Sequence, residues 1–293
     1  MADVLVAWVW LGCVVLVAGC AWRAWRYMRA PVHLRWDLYP VAHEPNDYGG
    51  SHLEHKDWFA KPRKVNFFGE LVVMGEEILL LKGVLKNNRS VWWGSLPFHW
   101  GLYLMIVTSV GLTVAALGFA PGPWLVVVAQ LGALSGVLLT VGSLLLLALR
   151  ASDPRLKPYT SPLDLANLAL LAILGALSTA VAVSQGMGPV AAAMGDVLRM
   201  QTPEVSLLLG TQMALAALFL LYFPATRMVH MFAKYFTYHS VRWDDRPREA
   251  GSAMDRRLMA ALNFGVSWSA EHIRTGKTWV EVATQLPADE EKR

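Results

Sequence analysis

Eight histidines occur in the chain, and two of them sit where they could do chemistry. His99 stands in Leu96-Pro97-Phe98-His99-Trp100-Gly101, where an apolar segment opens, and His230 closes Phe223-Pro224-Ala225-Thr226-Arg227-Met228-Val229-His230, at the end of another. Imidazole is a standard axial ligand for haem iron, and helix bundles build such sites from facing helices. Two neutral imidazoles on opposite sides of iron give a low-spin, six-coordinate centre suited to passing single electrons. An ionisable residue at membrane depth marks a functional site. Position alone equally allows both side chains to hydrogen-bond at helix ends. Arg227 precedes His230 by three residues, within about one helical turn. Its guanidinium could pair with a haem propionate or anchor the helix at the membrane interface. The other six (His33, His43, His52, His55, His239 and His272) fall in polar stretches and read as ordinary surface histidines.

Competing chemistries find few residues. Cys13 and Cys20 are the only cysteines. Seven residues rise about 10 Å along a helix, too far for a disulfide. No CxxCH is present for covalent haem, and no cysteine cluster could hold an iron–sulfur centre. Asp196, Arg199 and Glu204 could assist proton release, but ordinary loop solvation is the simpler reading.

The elements that position the histidines follow from composition. Of 293 residues, 55% are hydrophobic and 16% charged, against about 25% charged in a soluble domain. Five apolar segments are long enough to cross a bilayer, which takes roughly 20 residues: residues 4–25, 98–120, 124–149, 163–183 and 205–223, the last continuing as a helix to about Phe236, with Pro224 kinking it. Lys and Arg number 11 in residues 23–89, 3 in 150–157 and 11 in 227–293, against a single one, Arg199, in the other connections. This alternation places the N-terminus outside and the long loop and tail in the cytoplasm. It also accounts for the net charge of +4 without a nucleic-acid patch. Leu16 to Cys20 resembles a lipoprotein cleavage box, but Met1-Ala2-Asp3 carries no positive charge and Arg23, Arg26 and Arg29 follow the segment, a pattern that retains the helix. Residues 66–87 alternate apolar with acidic and basic positions and predict an amphipathic helix on the cytoplasmic membrane surface. The expected fold is therefore an all-α integral membrane protein, a bundle of five transmembrane helices with that surface helix in its first loop.

The two histidine segments resemble those of the gamma subunit of respiratory nitrate reductase. The resemblance implies five spans, an outside N-terminus, and b-type haem held between the second and fifth helices by His99 and His230. Family members with two haems carry a second histidine pair further from the cytoplasm, where this sequence has Ser109 and Gln212. Neither is a usual ligand, so one haem b is expected, and the family's outward quinol site falls into doubt. Trp36-Asp37-Leu38-Tyr39-Pro40, Tyr48-Gly49-Gly50-Ser51, Trp268-Ser269-Ala270-Glu271-His272-Ile273 and Lys277-Thr278-Trp279 resemble the gamma-like subunits that pair with heterodisulfide-reductase-like iron–sulfur proteins.

These expectations divide the chain into a membrane haem domain, residues 1–236 with the cytoplasmic loop 28–97, and a cytoplasmic docking tail, 237–293. In the tail, Trp243, Phe264, Trp268 and Trp279 suggest a surface for a soluble partner. The implied function is electron transfer in the cytoplasmic membrane of a prokaryote, between a quinone (menaquinone by the resemblance) and a cytoplasmic iron–sulfur subunit. The competing reading is a haem-free membrane anchor for a soluble redox enzyme. A transporter is disfavoured, because no internal repeat or charged midplane is present.

Overall fold

The computed structural model describes residues 2–30, 67–119, 122–239, 250–270, 273 and 275–284. The Trp36–Pro40 and Tyr48–Ser51 motifs, Trp243 and His272 lie outside the described residues. Among those described the chain is helical, with five helices long and apolar enough to span a membrane and no strand beyond two isolated bridges. Packing groups residues 1–20 with 72–226 in one unit, and residues 21–71 with 227–293 in a second.

In the first unit the spans form around close backbone contacts. Helix α1 covers Ala2–Arg29, and α2 covers Phe67–Leu79. A short α3, Lys82–Asn87, leads into α4, Arg89–Ala116. The next spans are α5, Gly122–Ser152, and α6, Pro162–Ser184. A shorter apolar helix α7, Gly188–Leu198, precedes α8, Leu207–Tyr222. Helix α4 packs on α5 and α7, α5 also on α6, and α6 on α8.

Lipid tails are as apolar as leucine, so helices in a bilayer are held by close packing and interhelical hydrogen bonds. Glycines permit the approach of α4 to α5. A Cβ on Gly101 would fall 2.5 Å from the Leu139 nitrogen, and one on Gly142 would meet the Phe98 backbone. Leu139 is fully buried in that seam and Phe98 nearly so. Between α5 and α6, Thr140 Oγ1 donates to Gly136 O at 2.7 Å, and Thr179 Oγ1 to Gly175 O at 3.2 Å. Each hydroxyl also reaches across to the other helix, Thr140 Oγ1 to Ala172 O at 3.3 Å and Thr179 Oγ1 to Ala133 O at 3.4 Å. On α1, the Trp8 indole donates to Ala214 O on α8 at 3.1 Å, and Trp10 to Val197 O at the end of α7 at 2.9 Å. Met187 and Ala191 pack α7 onto Leu112, Val128 and Ala182.

Three expectations are corrected here. The helix expected over 66–87 is two helices, because Leu81 takes a left-handed conformation (φ 50°) and is buried. The second span starts nine residues before Phe98, at Arg89, where the Asn88 side chain accepts from Val91 N at 3.3 Å. Pro97 therefore lies inside α4 rather than at its start. The fifth span does not run on to Phe236. Its α-helix ends at Tyr222, a 3₁₀ turn follows over Phe223–Ala225, and Thr226 is extended. Pro224 cannot donate to the preceding turn and its ring crowds the carbonyl four residues back, which favours a break here.

In the second unit, α9 covers His230–Thr237 and α10 covers Ala253–Leu262. Phe236 meets Tyr27 at the end of α1, with ring centroids 5.7 Å apart. Arg257 Nη2 donates to Ala30 O at 2.5 Å, tying α10 to the same place. After α10, Val266 N donates to Lys277 O at 2.7 Å and joins the chain to α11, Trp279–Ala283. Glu281 accepts from the backbone and hydroxyl of Thr278, which hold its carboxyl below the usual glutamate range. Ala261, Val266 and Ile273 are buried in this module, while Met259, Phe264 and Trp268 stay exposed and Trp268 meets Trp279.

The glycine seam gives a contrast to measure. Gly101→Val forces a side chain into the Leu139 backbone and should cost about 3 kcal/mol, the upper end for overpacking. Gly75→Ala adds a methyl where nothing lies within 4 Å and should be neutral or stabilising by up to about 1 kcal/mol. Thermal unfolding of the detergent-purified proteins measures both.

Candidate functional site

His99 lies on α4 in the first unit, in its third turn rather than at its opening. It is half-buried, and its Nδ1 is 2.7 Å from Ser95 O, one turn back along the helix. A carbonyl can only accept, so Nδ1 carries the proton. A neutral imidazole with that tautomer presents its lone pair at Nε2, the nitrogen that a metal takes. Ser95 is buried, and the Phe98 ring stands edge-on to the imidazole at 5.3 Å between centroids. Both neighbours limit how the ring can turn.

His230 and Arg227 lie in the second unit. Arg227–Val229 is a 3₁₀ turn, and His230 is the first residue of α9. The His230 Nδ1 is 3.1 Å from Arg227 O, so the same reasoning places its lone pair at Nε2. Both side chains are exposed, whereas Val229 between them is buried. The break after Tyr222 shapes the approach to this turn. Thr226 is buried, and its hydroxyl donates to Phe223 O at 2.8 Å, holding the extended residue against the turn before it.

Ser109 and Gln212, the positions expected in place of a second ligand pair, behave differently. Ser109 Oγ donates to Met105 O on its own helix at 2.8 Å. The Gln212 Oε1 atom is buried with no hydrogen-bond partner, as are Thr108 Oγ1, Ser143 Oγ and Asn167 Oδ1. No group of three or more His, Cys, Asp or Glu side chains is placed to hold a metal ion among the described residues. A haem iron takes no more than two protein ligands.

Sequence reasoning missed a set of aromatic donors around His99. Tyr103 Oη donates to Ile78 O at 2.9 Å, Trp100 Nε1 to Leu79 O at 3.0 Å, and Trp92 Nε1 to Leu80 O at 2.8 Å. The Tyr103 ring also lies 6.2 Å from that of His99, centroid to centroid. Each partner is 12 to 25 residues away in sequence, beyond any local pattern. The one available signal was the density of Trp and Tyr at the start of α4.

A family model described as nitrate reductase gamma subunit matches residues 83–244. The matched stretch contains α4 to α9 and with them His99, Arg227 and His230, while α1 and α10–α11 fall outside it. None of the curated proteins matches this chain.

The buried hydroxyl of Thr226 offers a test of the turn that carries Arg227 and His230. Thr226→Val keeps the branched shape but loses the bond to Phe223 O, and should cost about 1 kcal/mol. Thr226→Ser should retain most of it. The midpoint of thermal unfolding, followed at constant detergent and lipid, reports the difference.

Proposed function

The chain belongs to the nitrate reductase gamma subunit family, whose members are membrane cytochrome b subunits of respiratory complexes. On that premise we propose that it is the electron-transfer subunit of an anaerobic quinone oxidoreductase. His99 and His230 are the axial ligands of one b-type haem. The observation that carries this reading is shared by the two side chains: each Nδ1 faces a backbone carbonyl, at 2.7 Å and 3.1 Å, and so turns the lone pair to Nε2. A haem held there supplies reversible one-electron chemistry, which the protein positions and shields.

The residues do the remaining work. The Ser95 and Arg227 carbonyls fix the two imidazole tautomers and raise the basicity of the ligating nitrogens. The Arg227 guanidinium pairs with a propionate. Phe98 walls the imidazole of His99 from the α4–α5 seam. Ser109 and Gln212 replace the outer ligand pair, so a single haem is held, near the cytoplasmic face. Quinone, with menaquinone the expected form, binds among the helices beside it.

The basic residues concentrated in 23–89, 150–157 and 227–293 support an outside N-terminus and a cytoplasmic C-terminus in the cytoplasmic membrane of a prokaryote. The partner is a cytoplasmic iron–sulfur subunit of the heterodisulfide-reductase-like class, and the tail, residues 237–293, docks it. Exposed Met259, Phe264 and Trp268 support that role, because aromatic and Met side chains are enriched where protein interfaces are buried.

The pyridine haemochrome of the purified protein, with a dithionite-reduced minus oxidised spectrum, tests the ligands. About one b haem per chain is expected, lost in His99→Ala and in His230→Ala, with both variants still inserted. Two haems per chain would show that other histidines serve. A haem-free wild type would leave a membrane anchor as the function.

A further inference from the structure

We propose that the exposed apolar side chains at the end of α2 and just after it, Val72, Ile78, Leu79 and Leu80, are embedded among lipid acyl chains rather than lying in water on the membrane surface. The proposal is independent of the haem reading.

Three observations carry it. The last four carbonyls of any helix lack partners within the helix, and at a wet surface water fills that role. Here Tyr103, Trp100 and Trp92 donate to the consecutive carbonyls of Ile78, Leu79 and Leu80, at 2.9, 3.0 and 2.8 Å. A backbone that water cannot reach requires such donors. The donors, secondly, extend from Trp92 in the first turn of α4 deep into the helix. Tyr103 lies 14 residues beyond Arg89, about 21 Å along the axis of a helix that reads as membrane-spanning.

The third observation is the sorting of side chains. Val72, Ile78, Leu79 and Leu80 are all exposed. Glu76 and Glu77 are half-buried, and Glu76 is paired with Lys82 Nζ at 2.5 Å. A segment built for water places its charges outward. Here the apolar groups are the more exposed, and the one acid on their stripe, Glu76, is neutralised by its pair with Lys82, which fits acyl chains better than an acidic partner. The neighbouring surface of α4, with Trp93, Ile106, Val107 and Val110 exposed, is apolar in the same way. The chain reverses at buried Leu81 in its left-handed conformation, and α3 then packs on α4.

Single cysteines at Val72, Leu79 and, as a control on exposed α3, Lys86 test this in the full chain, with Cys13 and Cys20 replaced by serine. Leu80→Cys substitutes for either test position that fails to insert. In phosphatidylcholine nanodiscs, bimane attached at positions 72 and 79 should be quenched by lipids brominated on their acyl chains. A membrane-impermeant maleimide should label both about tenfold more slowly than position 86. Tyr103→Phe should raise labelling at position 79, because the Ile78 carbonyl must then find water. Labelling at the rate of position 86 without quenching would overturn the proposal, and the face would lie in water. Slow labelling without quenching would overturn it too, in favour of a protein cover such as a second copy of the chain.

Discussion

A backbone carbonyl inside a bilayer has no water to accept from, and each unsatisfied group there costs several kcal/mol. Much of this structure follows from that one fact. At several helix ends a side chain stands in for solvent. Asn88 accepts from the first turn of α4, and Ser161 caps α6 in a reciprocal pair with Asp164. Trp10 takes the carbonyl at the end of α7, and three aromatic residues of α4 take the end of α2. Tryptophan and tyrosine suit the task, because each joins a large apolar body to one polar donor.

The same solvent weakens the usual reason for helices to associate. With no hydrophobic gain between helices, contact depends on how closely backbones approach. Gly101 and Gly142 let α4 and α5 meet backbone to backbone, and Gly136 and Gly175 do so between α5 and α6. The fully buried Leu139, Leu171 and Leu209 fill what space remains. Among the described residues, buried side-chain atoms of Thr108, Ser143, Asn167 and Gln212 lack partners within the chain.

The two histidines fit this logic. An imidazole has two nitrogens to satisfy, and a backbone carbonyl one turn back answers one of them in each case. That arrangement costs no further side chain and fixes which nitrogen offers its lone pair. It also ties each ring to its own helix, so the orientation of each imidazole is set by local backbone: regular α-helix for His99, a 3₁₀ turn for His230. The break at Pro224 and Thr226 therefore matters more to His230 than a smooth kink would have.

Membrane character and the number of spans were legible in the sequence, and His99 and His230 were legible there as candidates for a site. Apolar runs of about 20 residues have one dominant meaning, and a histidine at the edge of such a run is conspicuous against it. Glu70, Glu76 and Glu77 among apolar neighbours likewise marked the α2 region as something other than a span. Tertiary structure decided where elements stop. The apolar run opens at Phe98, yet Asn88 caps α4 well before it. Leu81 adopts a conformation unfavourable for leucine, which local propensity does not foresee and burial holds in place. The bonds from Trp92, Trp100 and Tyr103 to residues 78–80 join groups far apart in the chain. Periodicity reports only on neighbours a turn or two away, so such partners emerge only once the backbone has folded.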